Sequence, residues 1–145
     1  MESVIGAVFP ISPEHAVRIF DEGRTVFVKY TRFSKLDRNS RIVFYLSRER
    51  RLIGEGIIEK IEKAKPESVW AHYGRRIFLD KIEYDRYVSD SPVGGRNRIS
   101  EAITVFVLKN LRTYKKTNQL TYSVTPAGCY LTKREYDGII AVRSP

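Results

Sequence analysis

Apolar and polar positions trade places in short, strand-like runs over the first half of the chain. Three follow one another: Thr25–Tyr30, Arg41–Leu46 and Leu52–Ile61. In TVFVKY, Val26 and Val28 point one way and Phe27 and Lys29 the other. One cation therefore stands on an otherwise apolar strand. Arg41–Leu46 alternates less cleanly. The third run carries Gly54 and Gly56 around Glu55, and glycines inside a strand mark a bulge, a corner or close backbone approach. An earlier apolar run, Ser3–Phe9, predicts a first strand. Ile103–Leu111 is apolar on both faces, as a doubly covered central strand requires. Lys115–Asn118 reads as a polar turn and Leu120–Val124 as a further strand.

Helical spacing interrupts these runs. Ser12-Pro13-Glu14 supplies an N-cap, a proline at the first helical position and an acid near the positive end. Ala16, Val17, Ile19 and Phe20 form one apolar face, and Gly23 is a stop, so a helix is predicted over about 13–22. Pro66, Val69, Trp70 and Tyr73 follow i, i+3, i+4, i+7 spacing before Gly74. An internal echo pairs FLDKIEYD at Phe78–Asp85 with YLTKREYD at Tyr130–Asp137. In each copy Asp80 or Thr132 precedes a Glu by three residues, the capping-box spacing. Both read as a strand end passing into a short capped helix. Between them SDSPVGGRNRIS, over Ser89–Ser100, is a loop. Ala141–Pro145 is ambiguous.

These elements total about seven strands and four short helices in irregular order. Strict strand–helix alternation is absent, which disfavours a doubly wound parallel sheet. The predicted class is α+β: a small mixed β-barrel of about 5–7 strands with about four short peripheral helices. No linker divides the chain, so residues 1–145 are expected to form a single domain.

Composition sharpens this picture. A net charge of +9 and an aromatic content of 12% describe a basic globular chain. Its natural partner is an anion, with nucleic acid first and a membrane surface second. Cys129 is the single cysteine, so no intramolecular disulfide forms and a reducing, cytoplasmic interior is expected. With only His15 and His72 beside it, no metal site is expected. No cofactor is expected either. No apolar run reaches the length of a membrane span, and the N-terminus does not read as a signal peptide. Gln119 and Met1 are the only residues of their types while 30% of residues are charged, a balance that leans toward a thermophile.

Ordered along the chain, VFVKYT, RIVFYLS, the glycine-marked IGEGIIEKIE and TPAGCYLTKREYD resemble a small archaeal family of uncharacterised proteins in the PUA-like superfamily, near the ASCH and EVE domains. The resemblance covers nearly the whole chain. It implies a pseudobarrel with a helix packed between early strands, and a cleft beside that helix where relatives hold RNA or a modified base.

Four cation-bearing clusters are candidates for that chemistry. Lys29, Tyr30 and Arg32 end one strand; the lysine suits a phosphate and the aromatic a stacked base. Arg48, Arg50 and Arg51 crowd one turn, and arginine presents the fork that phosphate accepts. Arg96 and Arg98 follow Gly94-Gly95, a phosphate clamp without the Gly-Lys-Ser/Thr ending of a P-loop. Arg75-Arg76 and Arg112 to Lys116, with Tyr114, Lys115 and Lys116, suit single-stranded RNA. The expected partner is RNA: tRNA, rRNA or a modified nucleotide. Two alternatives stand beside it. Some ASCH-like relatives hydrolyse an acyl group from a modified cytidine with a Lys, a Thr and a Glu; Lys29, Thr31 and Glu55 or Glu59 supply those types here. A protein-interaction module would instead expose a large apolar patch. Trp70, at helical spacing with Val69 and Tyr73, reads as core, and His15 and His72 as structural.

Overall fold

The computed structural model describes residues 3–31, 33–89, 101–119, 124 and 127–143, with backbone alone over 116–119 and 140–143. Its strands are β1 (Val4–Ile11), β2 (Val26–Lys29), β3 (Arg41–Leu46), β4 (Arg51–Ala64), β5 (Ile103–Gln119) and β6 (Cys129–Thr132). Its helices are α1 (Pro13–Phe20), α2 (Pro66–Tyr73), α3 (Lys81–Ser89) and α4 (Lys133–Arg143), with a 3₁₀ turn at Gly74–Arg76. The strands form one mixed sheet in the order β2-β5-β4-β3-β1-β6. β1 lies parallel to β3, and the helix α1 makes that crossover together with β2. Every other neighbouring pair is antiparallel.

β4 and β5 are long and their ladder shifts register three times, which lets the sheet curl. The curl brings Phe9 of β1 within 5.3 Å of Phe27 of β2 and 5.9 Å of Phe106 of β5, ring centre to ring centre. The barrel is therefore filled by aromatic rings, but the sheet does not close. Six strands stand among the described residues against about seven predicted. The predicted turn at Lys115–Asn118 falls inside β5. Leu52 pairs with Asn118 and Gly54 with Thr113, so three extra residues of β5 are absorbed in a bulge rather than in a chain reversal. The strand predicted at Leu120–Val124 lies outside the described residues, Val124 excepted.

Local signals behave as their chemistry demands. Ser12 Oγ accepts the His15 N–H at 3.2 Å and caps α1, and Gly23 follows it at φ +70°. Gly54 makes room for a helix: a Cβ there would sit 2.5 Å from the Phe20 ring and 2.7 Å from the Arg112 carbonyl oxygen. The Thr132 box is complete, with Glu135 accepting the Thr132 N–H at 2.9 Å and Thr132 Oγ1 accepting the Glu135 N–H at 3.2 Å, while at Asp80 the Glu83 carboxylate accepts the Asp80 N–H at 2.9 Å. Phe78-Leu79 is not a strand end, however; only Ile77 bridges β2, through Val26.

The sheet's two faces bury separate clusters. One holds Phe9, Phe27, Phe44, Ile58 and Phe106 against α1, α2 and α3. The other holds Val43, Tyr45, Leu52 and Tyr114 against Tyr136 and Ile139 of α4. Trp70 packs against the first cluster, 5.1 Å from the Tyr84 ring.

Candidate functional site

The last residues of β1, β2 and β3 (Ile11, Lys29 and Leu46) border one cleft of about 1150 Å³. Its apolar wall is Ile11, Phe27, Leu46, Phe78 and Leu79, all buried. Its other wall is α1 with His15, and α3 with Glu83, Arg86 and Tyr87. The turn after β3 adds Arg48 and Glu49. The cleft thus opens beside α1, where the resemblance implied one.

α1 and α3 are fastened by a polar staple at the cleft wall. Arg18, only 9% exposed, donates to Glu83, to Asp80 at 3.1 Å and to the Phe78 carbonyl at 3.3 Å. Arg24 reaches the other Asp80 oxygen at 2.8 Å, which raises its own pKa. Asp80 thus spends its carboxylate on two arginines, and its capping box keeps only the reciprocal half. His15 Nε2 lies 3.3 Å from Glu83. Burial pushes the Glu83 carboxyl up, but the Asp80 N–H, Arg18 and His15 more than offset it and hold it below the usual range.

The cleft lining sets three carboxylates, Glu14, Glu49 and Glu83, beside three cations, Lys29, Arg48 and Arg86, but the acids hold ties of their own. Glu14 pairs with Arg18 at 3.9 Å, Glu83 with Arg18 and His15, and Glu49 with Arg51 at 3.0 Å. Neither Arg18 nor Arg51 lines the cleft. Lys29, Arg48 and Arg86 do line it, and among the described residues none of them has a carboxylate within ion-pairing distance. Lys29 sits with its ammonium 5.7 Å from the centre of the buried Phe9 ring. Burial alone lowers its pKa from the ordinary lysine value. A recess with an apolar wall and three cations free of carboxylate contact suits a flat, anionic ligand.

The sequence candidates divide. Lys29 and Arg48 converge on the cleft, 19 positions apart in sequence by their numbers. Tyr30 lies just behind it, half-buried, its ring 5.5 Å from that of Tyr87, whose hydroxyl accepts the Tyr30 N–H. Arg50 is exposed at φ +53° in the same turn, and Arg51 is held by Glu49; neither lines the cleft. Arg75 and Arg76 belong to the 3₁₀ turn near the start of β2, where Arg76 donates to Thr25 at 3.3 Å. Lys115 is exposed on β5. Arg32, Arg96 and Arg98 lie outside the described residues, as does the Lys116 side chain.

Two expectations are overturned. Tyr114 is 6% exposed and donates to Glu55 at 3.0 Å, so its ring has no face for a base. Glu55, 1% exposed, also accepts from Tyr136 at 2.9 Å and from Arg41 and Arg112 at 3.3 and 3.4 Å. It belongs to the α4 side of the sheet, whereas Lys29 projects over Phe9 on the other. Thr31 turns its hydroxyl to the Phe33 N–H at 3.3 Å. Lys29, Thr31 and Glu55 are not gathered into a catalytic trio. Val17 and Ile82 are the large hydrophobics exposed among the described residues.

The cleft also contains groups that sequence reasoning passed over. His15 was assigned a structural role, yet it lines the wall through its tie to Glu83. Arg86 and Tyr87 follow Glu83 at i+3 and i+4, so one helix face delivers all three. The capping box that fixed Glu83 was the available signal.

Comparison with known proteins agrees with this architecture. The family model described as Domain of unknown function (DUF365) matches residues 4–133. An uncharacterized protein of Methanocaldococcus jannaschii is 31% identical over 104 residues, covering 69% of this chain and 96% of that protein. The crystal structure of ASCH from Zymomonas mobilis superposes with a TM-score of 0.78 at 23% identity, over 97% of this chain and 96% of that one. A single-site mutant of that ASCH protein gives 0.80 at 23% identity, over 99% and 100%. At such identity the likeness is one of fold: the chain has the PUA-like architecture of an ASCH domain.

Proposed function

The chain belongs to the Domain of unknown function (DUF365) family, and on that footing we propose that it is an RNA-binding module whose cleft beside α1 takes an unpaired base and its phosphates. The observation that carries the reading is the convergence of Lys29, Arg48 and Arg86 on one recess. No carboxylate lies within ion-pairing distance of them among the described residues, while Glu14, Glu49 and Glu83 hold ties to Arg18, His15 and Arg51. A base lies against the half-buried Tyr87, over the apolar floor that Phe27 and Phe78 close from beneath, in the manner of single-stranded recognition by an aromatic side chain. The cations take the flanking phosphates, Arg48 and Arg86 by their forks and Lys29 as a point charge at the base of the cleft.

Filter binding of single-stranded RNA across a salt series tests this. A footprint of about four phosphates gives a log–log slope of about −3. Replacing Lys29 and Arg48 together with alanine lowers the steepness of that slope by about 1.4. Absent binding, or a slope indifferent to the double substitution, rejects the reading.

A further inference from the structure

A second cation-rich recess, of about 450 Å³, lies at the opposite end of β2 from Lys29. It is bordered by Arg38, Lys60, His72 and Arg76 around Tyr73 and Val107. Val107 is the ladder partner of Val26, the first residue of β2, while Lys29 is the last. The recesses are thus about 10 Å of extended backbone apart.

This recess is held in place before any ligand arrives. Arg76 lies 5.8 Å over the Tyr73 ring and donates to Thr25 Oγ1 at 3.3 Å. The Tyr73 hydroxyl donates to Glu62, which also takes Lys60 at 3.3 Å, so the ring beneath Arg76 is fixed from below. Arg38 sits in a turn pinned on both sides. The Asp37 N–H donates to Ser40 Oγ at 3.1 Å, and the Asn39 N–H to the Ile58 carbonyl at 2.8 Å. The Asp37 carboxylate is occupied by the Ser40 hydroxyl rather than by Arg38. Among the described residues neither Arg38 nor Arg76 has a carboxylate within ion-pairing distance, and Glu59 is the one acid bordering the recess. With Lys60 taken by Glu62, two arginines stand against Glu59 on an immobilised frame with little apolar surface, which suits a phosphodiester backbone rather than a base.

We propose that this recess is a second, sequence-independent phosphate-contact site, in which Arg38 and Arg76 grip the backbone of an RNA too long for the cleft alone. The inference rests on the reading that RNA is the partner. Fluorescence anisotropy with a short RNA of about three nucleotides and a long one of about twenty separates the two sites. The double variant R38A/R76A binds the long RNA about tenfold more weakly and loses about 1.4 from the steepness of its salt slope. It binds the short RNA as the unaltered protein does. The charge-preserving R38K/R76K keeps the slope for the long RNA. Unchanged affinity and slope for the long RNA, or an equal loss for the short one, overturns the second site. The cleft is tested apart from it: K29A/R48A abolishes binding of the short RNA. If that double variant leaves short-RNA binding intact, the cleft reading fails while the result with R38A/R76A on the long RNA still decides the second site.

Discussion

At the scale of single residues the chain places ionised groups where water is scarce, and the two main cases differ in kind. Lys29 shares the inward face of β2 with Phe27 and has an aromatic ring, not a carboxylate, beside its ammonium. Its folded pKa lies below the ordinary value, so the fold disfavours the charged form, and stability rises with pH between the depressed and the ordinary value. At neutral pH the ammonium is therefore a cost to stability, one that the proposed RNA site puts to use. Lys29→Met is expected to stabilise the protein by about 1 kcal/mol in urea titrations while weakening RNA binding. Glu55 is the opposite case, a buried carboxylate that is fully engaged. Glu55→Ala leaves two tyrosine hydroxyls and two arginines without this acceptor, and is expected to cost about 3–5 kcal/mol. Calorimetry would register that as a melting point lower by on the order of 10 °C. Lys29 was legible in the sequence because a lone cation in TVFVKY breaks an apolar alternation. Glu55 was not, because Tyr114 and Tyr136 stand 59 and 81 positions away and only the folded sheet brings them to it.

Among elements, what depended on neighbours in sequence was readable and what depended on ladder partners was not. Ser12, Pro13 and Gly23 bound α1, and Pro66 and Gly74 bound α2, because caps and stops act within a turn. The two capping boxes followed from spacing for the same reason. The full length of β5 did not, since its polar stretch is tolerated only where β4 lets three residues bulge. Nor could spacing reveal that Asp80 and Glu83 fasten α3 to α1 through Arg18. That staple has an acid signature. The Glu83 carboxyl is held below its ordinary value of 4.5, so its contribution is present above that pH and is lost as pH falls through the depressed value. Glu83→Gln is expected to lose about 1–2 kcal/mol at neutral pH and to flatten the acid limb of stability. Urea midpoints measured from neutral pH downward check both. An acid limb as steep in the variant as in the parent would assign it to other carboxylates.

Across the whole molecule, a charge of +9 becomes useful only through its arrangement. Carboxylates are drawn into internal ties at Glu55, Glu62, Asp80 and Glu83, whereas the cations at the two ends of β2 stay open. Composition points to an anionic partner, which the titration below tests, and the ordered strands announced a PUA-like fold. Which cations would share a recess was hidden, because Lys29, Arg48 and Arg86 come from a strand, a turn and a helix that meet only after folding. The most direct measurement is an NMR titration of the isotopically labelled protein with a short single-stranded RNA, following backbone amides. The account expects the largest shifts at Ile11, Ser12, His15, Lys29, Arg48 and Tyr87, with the Glu55–Tyr136 side of the sheet unmoved. Shifts centred on that α4 side, or spread evenly over the surface, would contradict it.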